Sequence, residues 1–349
     1  MLTLQEIHQE AKRLLPDILV MTKSLADALL NQAIAAGPKG GCLETFSPIY
    51  LYNHCRAGCP YCGFASNQSG KRKVLTVEEM NSEARVVRDM GCEAVYLLGG
   101  SLVNYQDLKE SQLSRQAEIA RQGLKAVSSI GLFPVLEMSP FSRHEFKVLN
   151  QEIYSIRSGG GRFVLFQETY NEAFYRKLHG SKTRQFKGEP EERLEQVELA
   201  LQAGWPEIGI GALFGLSTDV WFDVAHILAH AFALRKMGAR KVTISVPRLK
   251  PIAGQNFPAK CSDENFIKLV AVFSLLGRAA DNKIKVVITG RETKELRDRL
   301  SPCTDIWGVR GSTVPGGYSQ KLSTALSQFD LSDRRTLAEI RADNAVKIL

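Results

Sequence analysis

The stretch IYLYNHCRAGCPYCGF, from Ile49 to Phe64, is the one from which the rest of the chain can be read. Within it Cys55, Cys59 and Cys62 stand in a C-x3-C-x2-C arrangement. A four-iron cube takes one ligand per iron, so three thiolates leave one iron without a protein ligand. Such an open position suits a cluster that binds and acts on a molecule rather than one that only passes electrons. Two other readings compete. Disulfides use thiols in pairs and would leave one of the three over. A structural zinc site takes a fourth Cys or His, and His54 lies directly beside Cys55, where it cannot easily reach around the same metal. The preceding run, TFSPIYLYN, is β-type and leads straight into the cysteines.

The bulk composition is that of an ordinary soluble chain, with 44% hydrophobic and 23% charged residues. Its 349 residues suit one barrel-sized domain with appendages. The net charge of +8 invites a nucleic-acid reading, but Lys and Arg are spread along the chain with no block of five or more like charges. The expectation is therefore no nucleic acid, and a basic surface suited to small anions or an acidic partner protein. Seven cysteines with no secretory leader point to a reducing cytoplasm. The N-terminal MLTLQEIHQEAKRLL is amphipathic and mixes acid with base, unlike a signal or transit peptide. No run of about 18 apolar residues occurs, so no membrane span is expected.

Outward from the cysteines the chain alternates. Residues 1–37 read as two helices, with Leu4, Ile7, Ala11 and Leu14 at helical spacing, and are expected to cap one end of the main domain. After the loop, TVEEMNSEARVVRDMG is an amphipathic helix opened by Thr76 with acidic residues in its first turn. CEAVYLLGG is a short apolar strand, and strands at FPVLEM, RFVLFQET, EIGIGALFG, KVTISVPR, KVVITG and DIWGV follow, each separated by a helical run. Seven or eight such rounds with short connections imply a parallel sheet covered on both faces. The predicted fold is α/β, a (β/α) TIM-type barrel, full or partly open, with an N-terminal helical cap. Its expected divisions are the cap at 1–37, the barrel at 38–320 and a helical tail packed on it at 321–349. Chemistry in such barrels sits at the C-terminal ends of the strands.

Strand ends therefore supply the other candidates. Gly99 and Gly100 could bring backbone N–H groups close to a ligand, or merely form a turn. Glu168, in QETY, puts a carboxylate at the exit of an apolar run, where burial is costly unless a ligand or an ion pair answers it. Arg248 in SVPR and Arg291 in ITGR end strands with a fork suited to a carboxylate, and one of the two is expected to anchor substrate. STVPGGY, Ser312 to Tyr318, adds glycines after the last strand. His226 and His230 stand four apart without an accompanying acid, and with His179 read as helix-face residues rather than metal ligands. Cys42, Cys92, Cys261 and Cys303 have no paired spacing and read as small buried hydrophobes.

CRAGCPYCGF resembles the cysteine loop of radical S-adenosylmethionine (SAM) enzymes. Further blocks, SPIYLYNHC, FQETYNEAFY, IGIGALFGLS, ISVPRLKP, RETKELRDR and STVPGGYSQ followed by QFDLSDRRTLAEI, resemble the branch of the tyrosine lyases ThiH and HydG and the tryptophan enzyme NosL. They run in order from about Ser47 to Ile340. The resemblance implies a 4Fe–4S cluster on Cys55, Cys59 and Cys62, with SAM on the fourth iron. It implies one-electron cleavage of SAM to a 5′-deoxyadenosyl radical, fed by a low-potential donor such as flavodoxin or ferredoxin. That radical would take hydrogen from the amino nitrogen of an aromatic amino acid, and the side chain would then fragment. By the same resemblance Tyr61, Gly99, Gly100, Glu168 and Arg248 would face SAM, while Tyr50, Arg291, Arg310 and Ser312 would face substrate, with Arg291 taking its carboxylate.

The chain also departs from that branch. Ser101 follows Gly100 where the family often shows Glu, and GVRGS replaces a Ser-Ala-Gly-Ser type run, so Gly308 removes a hydroxyl and Arg310 adds a charge. The chain ends soon after RADNAVKIL, without the extra C-terminal cluster domain of HydG, so HydG is not expected as a close match. Two alternatives remain open. One is HmdB-like chemistry, linked to the pyridinol cofactor of iron-only hydrogenase; the other is a non-catalytic iron–sulfur scaffold or carrier.

Overall fold

The computed structural model describes residues 2–37, 44–250, 261–280, 282–319 and 331–343, so Cys42 lies outside the described residues, as does most of the expected tail. Two helices, α1 (Leu4–Thr22) and α2 (Ala26–Ala36), precede an alternating series. It runs β1 (Glu44–Tyr50), α3 (Val77–Asp89), β2 (Ala94–Leu98), α4 (Arg115–Ser128), β3 (Phe133–Glu137), α5 (Arg143–Tyr154) and β4 (Arg162–Glu168). Three helices follow, α6 (Glu172–Leu178), α7 (Ser181–Lys187) and α8 (Pro190–Gln202). Then come β5 (Glu207–Ala212), α9 (Val220–Lys236), β6 (Lys241–Ser245), α10 (Asp263–Ala280), β7 (Ile284–Ile288), α11 (Lys294–Leu300), β8 (Ile306–Gly308) and α12 (Leu337–Ala342).

The eight strands pair in chain order, all parallel, and β8 returns to pair with β1, Glu44 opposite Ile306. The barrel is closed rather than partly open. Helix starts follow local chemistry. Thr76 and Ser142 each accept the backbone N–H three residues on, while Glu79 and Glu145 return the bond, so orphan amide groups are answered in pairs. Inside the ring Phe46, Tyr96, Val135, Val164 and Val287 pack together, and the larger apolar layer lies between strands and helices.

The floor of the barrel is ionic. Glu44, Arg162, Glu207 and Lys241 are the first residues of β1, β4, β5 and β6, and all face inward there. Fully buried Arg162 reaches both oxygens of Glu44 at 2.9 and 3.1 Å and Glu207 at 2.8 Å, while Lys241 stands 3.6 and 3.4 Å from the same two carboxylates. Arg240, at the rim, adds a third cation 2.9 Å from Glu207, so both carboxylates at this end are already paired.

The expected N-terminal cap is not a roof over a barrel end. Helix α1 lies along α9 and α2 along α10, so the pair thickens the outer helical layer. His8 of α1 joins His226 at 2.5 Å and Glu172 at 2.9 Å, and His230 takes Tyr170 at 2.8 Å. Burial depresses His226 to about 4 and His230 to about 3, which keeps both neutral, as expected of helix-packing residues. Cys92, Cys261 and Cys303 are buried. At the other terminus Leu337 and Ile340 are buried, and Asp333 accepts from Arg297 at 2.6 Å, tying residues 331–343 to the connection after β7.

The floor is open to a direct test. Arg162→Leu leaves Glu44 facing only Lys241, and Glu207 facing Lys241 and Arg240, and is expected to cost about 3–5 kcal/mol, the loss usual when one partner leaves a buried ion pair. A urea midpoint equal to that of the unaltered protein would show instead that Lys241 and Arg240 suffice.

Candidate active site

The cysteine loop leaves β1 after Tyr50 and returns through a bridge between Tyr52 and Val74. No sheet holds its backbone between those points, so its carbonyls need other donors. Arg72 supplies them. Its guanidinium donates to the carbonyls of Asn53 (2.6 Å), Phe64 (3.1 Å), Ala65 (2.8 Å) and Gln68 (2.9 Å), while the Asn53 side chain spans Lys71 O and Lys73 N. Within the loop Cys62 N donates to Cys59 O, and Phe64 N to Cys62 Sγ at 3.4 Å.

The end of β2 backs this loop. A Cβ on Gly100 would stand 2.3 Å from His54 O and 2.4 Å from Cys55 Cβ, and one on Gly99 would stand 2.5 Å from the Tyr52 ring. Only glycine allows that approach. Tyr52 Oη donates to Gly100 O at 2.7 Å and Arg56 N to Ser101 O at 2.9 Å. Ser101 thus ties the loop through its backbone carbonyl, and it also lines the chamber at the strand ends.

Burial pushes the Cys59 thiol up to about 11 and that of Cys62 further, the neighbouring thiols adding to the rise at both. Ionising Cys59 and Cys62 therefore needs positive charge close by, and Lys187 opposes the rise at both. Among the described residues no three His, Cys, Asp or Glu side chains are grouped to hold a single metal ion. His54 is exposed and offers only its carbonyl toward Gly100. The donor set fits a multi-iron cluster, whose ligand sulfurs are spread around it, and not a tetrahedral zinc.

One chamber at the C-terminal ends of the strands joins the cysteines to most of the other candidates. Cys55, Cys59, Cys62, Tyr50, Tyr61, Gly99, Gly100, Glu168 and Arg291 all line it. Arg248, Arg310 and Ser312 do not. Arg248 is turned into a clamp: Nε donates to Glu292 at 2.9 Å, Nη1 to Asp263 at 2.6 Å, and the guanidinium lies 4.6 Å over Phe266. Arg310 is exposed, and Ser312 Oγ closes a local turn with Val314. The wall instead includes Thr313, Thr289 and Gly308 on that side.

The β4 exit is unusual. Gln167 turns outward to Pro190 O at 2.8 Å, and Glu168 takes φ +68°, which with a register shift turns its carboxylate into the chamber. Lys187, the last residue of α7, pairs with it at 2.5 Å, and Arg193 stands 3.8 Å away. Burial alone would raise the Glu168 carboxyl, but these two cations outweigh it and hold the group below its ordinary value. Glu137, at the end of β3, has no such cation to itself. Burial and then the Glu168 charge push it up to about 8, and it makes no hydrogen bond to a described residue. Tyr61 Oη donates to His179 Nε2 at 2.9 Å, because Nδ1 of that ring must donate to Tyr175 O.

Arg291 contrasts with Arg248. Nη2 donates to the Arg248 carbonyl at 2.8 Å, and among the described residues its Nε is buried with no partner and no carboxylate pairs with it. Burial holds its pKa below the usual value for arginine, Tyr50 opposing only in part. The adjacent Glu292, which could have neutralised it, is taken by Arg248. Lys187, Arg193 and Arg72 are site residues that the strand-end rule does not reach, since they lie on helices or in a return loop, whereas Glu137, the last residue of β3, is one that the rule reaches but the sequence reading did not single out.

The sequence matches the profile of the radical SAM superfamily over residues 49–231. It is 30% identical to the 2-iminoacetate synthase of Escherichia coli (strain K12) over 302 residues, which cover 85% of this chain and 73% of that one. Among solved structures it is similar to the FeFe-hydrogenase maturase HydG of Carboxydothermus hydrogenoformans, with a TM-score of 0.76, 30% identity, and 98% and 78% of the two chains covered. HydG, set aside by the sequence for its extra domain, is thus as similar in identity as the synthase. Methylornithine synthase (PylB), at 17% identity and a TM-score of 0.69 over 98% of this chain, shares the fold.

The packing of Gly100 on Cys55 predicts that Gly100→Ala will bind less than half the iron of the unaltered protein after anaerobic reconstitution, with its circular dichroism unchanged. Full iron content and an unaltered visible spectrum would mean that the loop moves freely.

Proposed function

The chain belongs to the radical SAM superfamily, and from that premise we propose that it acts on a small carboxylate-bearing substrate, an aromatic amino acid such as tyrosine or tryptophan, whose side chain it fragments as a lyase. The observation that carries this reading is Arg291, a buried guanidinium without a carboxylate partner among the described residues, in the same chamber as the three cysteines. A buried charge is costly until something opposite answers it. A substrate carboxylate would do so, and Phe46, Tyr50, Phe64, Tyr96 and Phe166 give the remaining wall an apolar, aromatic character.

Cys55, Cys59 and Cys62 would hold the 4Fe–4S cluster, with SAM beside it. Bound together, these groups supply a 5′-deoxyadenosyl radical, a strong hydrogen abstractor. The protein's share is placement and exclusion of water. The Gly99–Gly100 backbone would accept the SAM ammonium, and the Lys187–Glu168–Arg193 group offers both signs of charge to its polar groups. Tyr61 sits between the loop and His179, fixing that wall. Tyr50 would flank the substrate carboxylate on Arg291. Arg248, through its carbonyl, would orient Arg291 rather than touch SAM. A low-potential donor, flavodoxin or ferredoxin, and a reducing cytoplasm complete the setting; among the described residues no single helix is long and apolar enough to cross a membrane.

A second reading rests on Gly308, which lines the chamber where a hydroxyl-bearing residue is expected from the lyases. Arg310 points away, so the change enlarges the substrate end without adding charge to it. That favours a substrate of different shape, as in HmdB-like chemistry, still anchored by Arg291.

Reconstituted protein with SAM and dithionite is expected to form 5′-deoxyadenosine, and tyrosine or tryptophan to raise that yield with release of p-cresol or an indole product. An intact cluster with no SAM cleavage would mean a scaffold, and cleavage indifferent to both amino acids would remove the substrate assignment. Arg291→Ala is expected to raise the substrate KM about 100-fold, in line with about 2–5 kcal/mol for truncating one member of a buried charge pair, with iron content unchanged. Loss of the cluster in that variant would give Arg291 a structural role instead.

A further inference from the structure

Two segments beside the cysteines lack acidic residues altogether. Residues 53–77 and 173–188 carry nine lysines and arginines and no aspartate or glutamate, in a chain with 37 acids in 349 residues. The fold makes them one surface. Helix α7 packs on the cysteine loop, where a Cβ on Gly58 would stand 3.2 Å from Thr183 Oγ1. Ala57, Cys59 and Tyr61 share an apolar cluster with Phe174, Leu178 and Phe186, and the Arg56 guanidinium lies 4.5 Å over the Phe186 ring.

Five of the nine cations are occupied. Arg72 holds loop carbonyls, and Lys73, Arg176, Arg184 and Lys187 pair with Glu79, Glu172, Glu189 and Glu168 at 2.5–3.1 Å. The other four, Arg56, Lys71, Lys177 and Lys182, are exposed and make no ion pair among the described residues. Unopposed surface cations gathered at one place repel one another and raise the local positive potential. Arg56 is displayed by the very turn that joins Cys55 to Cys59.

The opposite side of that turn faces the chamber, which must stay closed to solvent while a reactive radical is present. An electron therefore has to arrive through the outer face of the loop. We propose that the basic face formed by the cysteine loop and residues 173–188 of helices α6 and α7, whose flanking acids are already paired with Arg176 and Arg184, is the docking surface for a small acidic electron-carrier protein, recognised by Arg56, Lys71, Lys177 and Lys182. In each encounter the carrier loses one electron and the cluster gains it, and no atoms are exchanged. Rim charges of this kind act mainly on the rate of association, which they can raise 10- to 1000-fold, roughly, at low salt.

The inference rests on membership of the radical SAM superfamily, and its test separates docking from chemistry by changing the reductant. In the reconstituted full-length protein, Lys177→Glu/Lys182→Glu is expected to raise the apparent KM for flavodoxin hydroquinone about tenfold at low ionic strength. Its rate of 5′-deoxyadenosine formation with dithionite is expected to stay within about twofold. High salt should reduce the difference between the two proteins, because it screens exposed charges. A calorimetric titration with flavodoxin gives the same comparison without turnover, so an inactive preparation still reports. The proposal is overturned if the flavodoxin KM and Kd do not change, or if both reductants lose equally. It is also overturned if an RNA or an anionic vesicle binds more tightly than flavodoxin and loses that binding in the variant.

Discussion

A parallel sheet closed into a ring hides its strands on both faces, so charge can be accommodated only at its two ends. The protein treats those ends differently. At the N-terminal end Arg162, Arg240 and Lys241 pair with Glu44 and Glu207, and both carboxylates are answered. At the C-terminal end completion is partial. Glu168 has Lys187 and Glu292 has Arg248, whereas among the described residues the Arg291 guanidinium has only a carbonyl and the Glu137 carboxyl has no hydrogen bond. A guest bearing charge lowers the energy of one end and not of the other, and that asymmetry is what makes a barrel a site.

Much of this was legible in the chain. Alternation of short apolar strands with capped amphipathic helices, such as the one opened by Thr76, is a local signal and gives the ring and its polarity. The glycines after β2 and the arginine after β7 follow from position alone. Other residues depend on closure of the chain over long distances. Nothing around Arg72 says that its guanidinium will collect four carbonyls, because those carbonyls are exposed only once the loop has folded back. Helices α6 and α7 are too short and too basic to show an apolar stripe, so Lys187 stays hidden. Arg248 and Arg291 look alike in sequence, each ending a strand. The positions of Glu292 and Asp263 tell them apart, since both pair with Arg248, while among the described residues Arg291 has a carbonyl and no carboxylate.

That separation also links the two arginines. Arg248 is held by Glu292 and Asp263, and its carbonyl then fixes the Arg291 fork. Chamber contacts on this wall come from the connections after β7 and β8 and from Leu331, all late in the chain. The cysteine wall, by contrast, is built from β1, β2 and the return through Arg72. The two meet because β8 pairs with β1.

The bonds of Arg72, Tyr52 and Ser101 and the backing glycines of the cysteine loop fall between Tyr50 and Ser101, with the Tyr61–His179 bond added later, whereas Arg291 and its neighbours are some two hundred residues further on than Ser101. A ribosome completes the first set long before the second exists. The part that receives iron and the part that selects the substrate are therefore separated in time during synthesis as well as in space, and substitutions in the later part can alter selectivity while the earlier part keeps the same hydrogen bonds.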